Sequence, residues 1–155
     1  MAKFKNQEEM ILALEAAFIA SRRFVNVYVR RIDPVIWSDQ RVISAIKKFL
    51  RAFKHAQLEI IQFDSQLTRS CDFFNLAHRL SQIKIYQVNE DINRIEPEQN
   101  YLYGDTKVVL IQTHYQEYIG FFSDADKARN QSIQDIYKHI KIMAKPSNEF
   151  KTLMV

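Results

Sequence analysis

Acidic side chains close three apolar runs in this 155-residue chain, and they are the first groups to weigh for chemistry. Asp33 follows Phe24-Val-Asn-Val-Tyr-Val29, and Asp64 follows Leu58-Glu-Ile-Ile-Gln-Phe63. Glu90 and Asp91 follow Ile83-Lys-Ile-Tyr-Gln-Val88. If the runs are parallel strands, ligands gather outside their carboxyl ends, so these carboxylates are placed to meet a cation or a polar ligand. The same residues also suit a plain structural role: Asp before Pro34 starts a turn, and Asp before Ser65 signals a helix cap. A second set is cationic. Lys47, Lys48, Arg51 and Lys54 recur on one side of a helical pattern, opposite its apolar stripe. Such spacing presents several charges together, to a phosphate backbone or simply to solvent. No aromatic residues interleave with them for base stacking.

Other chemistries lack their parts. His55, His78, His114 and His139 share no short spacing, and no HExxH or Cys/His cluster exists, so no metal is called for. Cys71 stands beside Asp72, whose charge opposes the thiolate a nucleophile needs. There is no G-x-S-x-G elbow. Gly104 and Gly120, the chain's two glycines, cannot assemble a phosphate loop or a dinucleotide fingerprint. The sequence calls for no cofactor.

The elements that must position these groups follow from periodicity. Apolar residues make up 47% of the chain and charged residues 26%, with 11 Phe and 7 Tyr, enough bulky material for one buried core. A single domain over residues 1–146 with a loosely attached tail over 147–155 is expected. Residues 6–22 read as a helix capped by Asn6 and Glu9, with Met10, Leu12, Ala13, Ala16, Phe18 and Ile19 facing the core. Strand 24–29 stops at Pro34, and a second helix from Ser38 carries Val42, Ile43, Ile46, Phe49, Leu50 and Phe53. Strand 58–63, a helix over about 67–81 and strand 83–88 complete the alternation. That order implies a parallel β-α-β-α-β core with right-handed crossovers. A hairpin then joins 101–103 to 107–113 through Gly104-Asp105, another strand spans 117–122, and a last helix over about 124–143 buries Ala128, Ile133, Ile136 and Ile140. The fold class is α/β with a mixed sheet.

This order, a hairpin and closing helix after three parallel strands, resembles one half of the phospholipase-D-like fold. That superfamily uses H-x-K-x(4)-D, with the histidine as nucleophile, the lysine on phosphate and the aspartate in the following turn, and a Gly-Ser-x-Asn segment usually comes next. With Asp105 in the aspartate place, the histidine and lysine places fall on Glu98 and Asn100, and the Gly-Ser-x-Asn place near Gln112-Thr-His-Tyr115. His139-Ile-Lys141 spells H-x-K, but Pro146 takes the aspartate position and the segment is helical. A closer resemblance is to an uncharacterised bacterial domain family, found alone or behind acetyltransferase domains, that looks like such a degenerate half. It rests on Val27-Tyr-Val-Arg-Arg-Ile-Asp-Pro34, Ala77-His-Arg-Leu80 and Gly120-Phe-Phe-Ser-Asp-Ala-Asp-Lys-Ala-Arg129.

Without the histidine, the covalent phosphohistidine route is closed. The resemblance therefore implies a non-catalytic binding or regulatory domain. Two alternatives stay open: a divergent metal-dependent phosphodiesterase or nuclease using Asp33 and Asp64, and a nucleic-acid-binding protein using the cationic helix face. A partner protein, a second copy of the chain, an anionic ligand and a nucleic acid are all compatible with a net charge of +4. With a lone cysteine, no signal-peptide pattern and no run long enough to span a membrane, a cytoplasmic location is expected.

Overall fold

A computed structural model of the chain describes residues 2–64, 71–88, 98–105 and 107–146. Thirteen elements follow one another among them: β1 (Ala2–Phe4), α1 (Gln7–Ala20), β2 (Phe24–Val29), α2 (Pro34–Trp37), α3 (Gln40–Ala52), β3 (Gln57–Gln62), α4 (Asp72–Arg79), β4 (Ile83–Val88), β5 (Asn100–Gly104), β6 (Val109–Gln112), β7 (Gly120–Ser123), α5 (Lys127–Met143) and β8 (Ala144–Pro146). The strands form one mixed sheet in the order β1-β7-β6-β5-β2-β3-β4-β8. β2, β3 and β4 are parallel neighbours, while β5, β6 and β7 run antiparallel from the β2 side. The expected parallel core, hairpin and closing helix are all present. Glu90 and Asp91, and the tail from Ser147, lie outside the described residues.

Alternation along the strands divides the core in two. Val25, Val27 and Val29 of β2, Leu58 and Ile60 of β3, and Ile83 and Ile85 of β4 pack with α1–α4 on one face. Tyr28, Ile61, Val88, Tyr103 and Ile111 meet Ile133 and Tyr137 of α5 on the other. That second face also buries a charge. The Glu59 carboxylate accepts from the Tyr137 hydroxyl and pairs with Lys141 Nζ at 2.8 Å. Burial first, and then the Glu59 hydrogen bond, push the Tyr137 phenol far above its ordinary range.

Several elements differ from the sequence reading, each for a local reason. α1 buries Met10, Ile11, Leu14, Ala17 and Phe18, and leaves Leu12 and Ile19 exposed, because a helix apolar all round does not announce its inner face. Asn6 accepts from the Glu9 N–H at 2.9 Å, and Glu9 reaches back to the Lys5 N–H at 3.0 Å, a capping box shifted by one residue. Pro34, read as a stop, is the first residue of α2, where its missing N–H costs nothing. α3 begins at Gln40 on the Asp39 cap and ends at Ala52, so Lys54 lies past it. α5 starts on Asp126, later than expected, and buries Asn130, Ile133 and Tyr137 while Ala128 and Ile136 face outward. Asn130 Nδ2 donates to the carbonyls of Gly104 and Val108, which fixes α5 to the hairpin.

Candidate functional site

The carboxyl end of β2 runs into Arg30-Arg31-Ile32-Asp33. Ile32 and Ile36 are fully buried beneath this turn and hold it to the core, which leaves Asp33 between them half-buried at the surface. Asp33 then does two things. One carboxylate oxygen caps α2 by accepting the Val35 N–H at 3.0 Å, and the other accepts the Tyr118 hydroxyl at 2.7 Å. Burial first, then that carboxylate, raise the Tyr118 phenol to about 12.

Next to β2, strand register sets Asn100 of β5 opposite Gln112 of β6. Both side chains are buried. Asn100 Oδ1 accepts the Arg30 N–H at 2.9 Å, and Asn100 Nδ2 donates to Gln112 Oε1 at 2.8 Å. Gln112 Nε2 continues to the Glu117 carbonyl at 2.7 Å. The loop after β6 is pinned in turn: the Tyr115 N–H donates to the Glu98 carbonyl at 2.8 Å, and the Thr113 N–H to the Ile119 carbonyl at 2.9 Å. The Arg30 guanidinium lies 4.3 Å over the Tyr115 ring, whose other neighbour is the stacked His114 imidazole.

These residues border two spaces. A cavity of about 40 Å³, room for a water, sits between the apolar floor of Leu14, Val27 and Leu110 and the polar rim of Arg31, Asp33, Asn100, Gln112 and Tyr115. Outside it, a hollow of about 610 Å³ is lined by Arg30, Arg31, Asp33, Asp64, Tyr115, Gln116 and Tyr118. Asp33 and Asp64 therefore share one hollow. Among the described residues, no three His, Cys, Asp or Glu side chains group as metal ligands.

Asp105 lies elsewhere. It follows the far end of β5, about 17 Å along the strand from Asn100. Its carboxylate accepts the backbone N–H groups of Arg22, Arg23 and Phe24 at 2.8–3.2 Å. Gly104 beside it has no room for a Cβ, which would overlap the Ser21 hydroxyl. The cationic set divides as well: Lys48, Arg51 and Lys54 are exposed, and Lys47 is half-buried along α3. Cys71 caps α4, its sulfur accepting the Phe74 N–H at 3.4 Å. Asn100 and Gln112-Thr-His-Tyr115 entered the sequence reading only through the motif resemblance; the Asn100–Gln112 bond and the parts played by Tyr115 and Tyr118 escaped it. A turn centred on Gly104-Asp105 would set Asn100 against Val109. The longer loop observed, with Tyr103 opposite Val109, shifts the register by three and brings Gln112 to Asn100.

Fold and site together define a mixed α/β domain with the phospholipase-D-like fold. The chain belongs to the family described as Domain of unknown function (DUF7931), whose model matches residues 6–153. Three solved structures are similar to it. NucT from Helicobacter pylori shares 12% identity at a TM-score of 0.68, over 94% of this chain and 98% of that one. TrmBL2, an archaeal chromatin protein with a novel mode of DNA binding, shares 10% at 0.63, over 94% of this chain and 54% of its own. Polyphosphate kinase from Porphyromonas gingivalis shares 13% at 0.54, over 89% of this chain and 23% of its own. No curated protein matches the sequence. Among the described residues, no helix is long and apolar enough to cross a membrane.

Proposed function

We propose that this is a non-catalytic binding domain, a phospholipase-D-like scaffold whose catalytic places have been given over to holding the fold. One observation carries the reading. Asn100, in the lysine place, spends its amide on the Arg30 N–H and on Gln112, so no cation stands there to meet a phosphate. Glu98, in the histidine place, offers a carboxylate that repels a phosphodiester rather than attacking it. The ligand-facing end is then the hollow, where Arg31 has no ion pair among the described residues and favours a ligand with an anionic group.

Hydrolysis of bis(4-nitrophenyl) phosphate tests the first half. No turnover above buffer is expected, with or without Mg²⁺ or Mn²⁺. Metal-independent turnover overturns the reading. Turnover that requires the metal and disappears in both Asp33→Ala and Asp64→Ala replaces it with a metal-dependent phosphodiesterase, which the shared hollow of those two carboxylates favours. The second half is tested by titrating pyrophosphate into labelled protein. Amide shifts should concentrate at Arg30, Arg31 and Tyr115 and vanish in Arg31→Gln.

A further inference from the structure

The opposite end of the sheet carries a different chemistry. Because β2, β3 and β4 are parallel neighbours, the turns entering them lie side by side along one edge. Each turn is cationic: Arg22 and Arg23 enter β2, Arg51 and Lys54 precede β3, and Arg79 precedes β4. Lys107, in the β5–β6 hairpin next to β2, extends the row. All six are exposed, and none has an ion pair among the described residues. At about 4.8 Å between strands the row spans roughly 15 Å, the length of several phosphates at about 3.4 Å per step of one strand.

Hydrogen bonds lock these turns to one another. Asp105 holds the N–H groups of Arg22, Arg23 and Phe24. The Gln57 N–H donates to the Arg23 carbonyl at 3.1 Å, tying the second turn to the first. Gln82 Nε2 donates to the carbonyls of Leu50 and Ala56, tying the third turn to the second. The Asp105 oxygens face backbone amides, and the nearby Asp126 is engaged by Arg129 at 2.7 Å. Helix ends attract a cation to their last turn, which accounts for Arg51 and Arg79. Arg22, next to the Ser21 cap of α1, fits the same rule. The rule does not account for a second cation at Arg23 or for Lys107, which follows no helix.

We infer that this edge is a docking surface for the phosphate backbone of a nucleic acid. The locked turns hold the main chain beneath these side chains in a fixed row, so binding costs side-chain freedom alone. Such a row meets a regular backbone rather than bases. A membrane would call for several apolar side chains among the cations, but Phe53 and Leu80 in these turns pack against the core. That leaves Ile19, three residues before Arg22, as a lone exposed large one in the helix turns that end here, among the described residues. The surface lies at the other end of β2 from the hollow, so neither reading depends on the other.

Fluorescence anisotropy with a labelled 20-base-pair DNA duplex and a 20-nucleotide RNA, across a salt series, tests the inference. At least one probe should bind, with log K falling against log salt at a slope of about −4 to −5. The triple variant Arg22→Gln, Arg23→Gln, Lys54→Gln should bind at least tenfold more weakly, with the slope shallower by about two to three. Arg51→Gln with Arg79→Gln gives an independent second variant should the triple melt early. A control triple, Lys3→Gln, Lys5→Gln, Lys138→Gln, removes the same charge elsewhere and should leave binding within twofold. The inference fails if neither probe binds, if the control weakens binding as much, or if Arg31→Gln alone abolishes it. Binding to phosphatidylserine vesicles without binding to either nucleic acid also overturns it.

Discussion

The two ends of β5 hold the main chain with different side-chain chemistry. At the hairpin end, Asp105 is a carboxylate gathering three backbone N–H groups. At the other end, Asn100 is a neutral amide accepting one backbone N–H and donating to Gln112. Both are acceptors for main-chain donors, so both are structural. They differ in charge and in how many donors they gather.

The largest effect should come from the charged end. Asp105→Ala leaves three N–H groups of the Arg22–Phe24 turn without their acceptor and should lower stability by about 2–3 kcal/mol. For a domain of this size that is a fall in Tm of roughly 5–10 °C by calorimetry. Asp105→Asn retains one oxygen acceptor and should lose about half as much. A Tm unchanged in the alanine variant would remove the structural role of Asp105.

The neutral end should yield less. Asn100→Leu fills the volume but orphans the Arg30 N–H and Gln112 Oε1, and should cost about 2 kcal/mol in chemical denaturation. Asn100→Lys should be no better tolerated, because the buried position offers a cation only amide partners. If the lysine variant proves as stable as wild type, the pocket still accommodates the motif. The contrast between the two ends would then lose its force.

How far this was legible in the sequence depends on where the information lies. β2 and β4 coincide with the apolar runs 24–29 and 83–88, and the α3 stripe of Val42, Ile43, Ile46, Phe49 and Leu50 is buried as its spacing implies. The hairpin was marked by Gly104-Asp105. β1 and β8 were not legible, since three-residue edge strands are defined by partners far away in the chain. For the site, Asp33 was visible because it ends a strand, but its partner Tyr118 lies 85 residues on, and nothing local in either segment announces the bond. The cationic residues were visible in α3. Their continuation through Arg22, Arg23 and Arg79 appears only once the strands are seen to be parallel neighbours.

A third buried amide shares the sheet face of Asn100 and sharpens the contrast. Gln62 closes β3, in register with Val29 on one side and Gln87 on the other. It is fully buried, and among the described residues neither of its amide atoms has a hydrogen-bond partner. Where Asn100 holds the fold together, Gln62 burdens it. Gln62→Met should therefore raise stability by about 1 kcal/mol, read as a higher denaturant midpoint with an unchanged slope. A drop in stability would mean that Gln62 is satisfied, by an ordered water or another group.

The smallest effect belongs to the bond between the loop after β6 and the turn after β2. Tyr118→Phe removes the hydroxyl from Asp33 while leaving the ring in place, and should cost about 1 kcal/mol at neutral pH. Its clearer signature is in alkali. The phenol titrates at about 12 in the folded chain and about 10 when unfolded, so between those values the folded state holds the extra proton. The stabilisation is complete below pH 10 and fades as pH rises toward 12. Tyr28 and Tyr137 are also raised by burial and contribute the same downward slope in both proteins. The difference between wild type and Tyr118→Phe in that window reports the Tyr118 phenol, its burial first and its bond to Asp33 second. Parallel alkaline unfolding curves would show that the loop is held by its backbone bonds and by Tyr115, not by this hydroxyl.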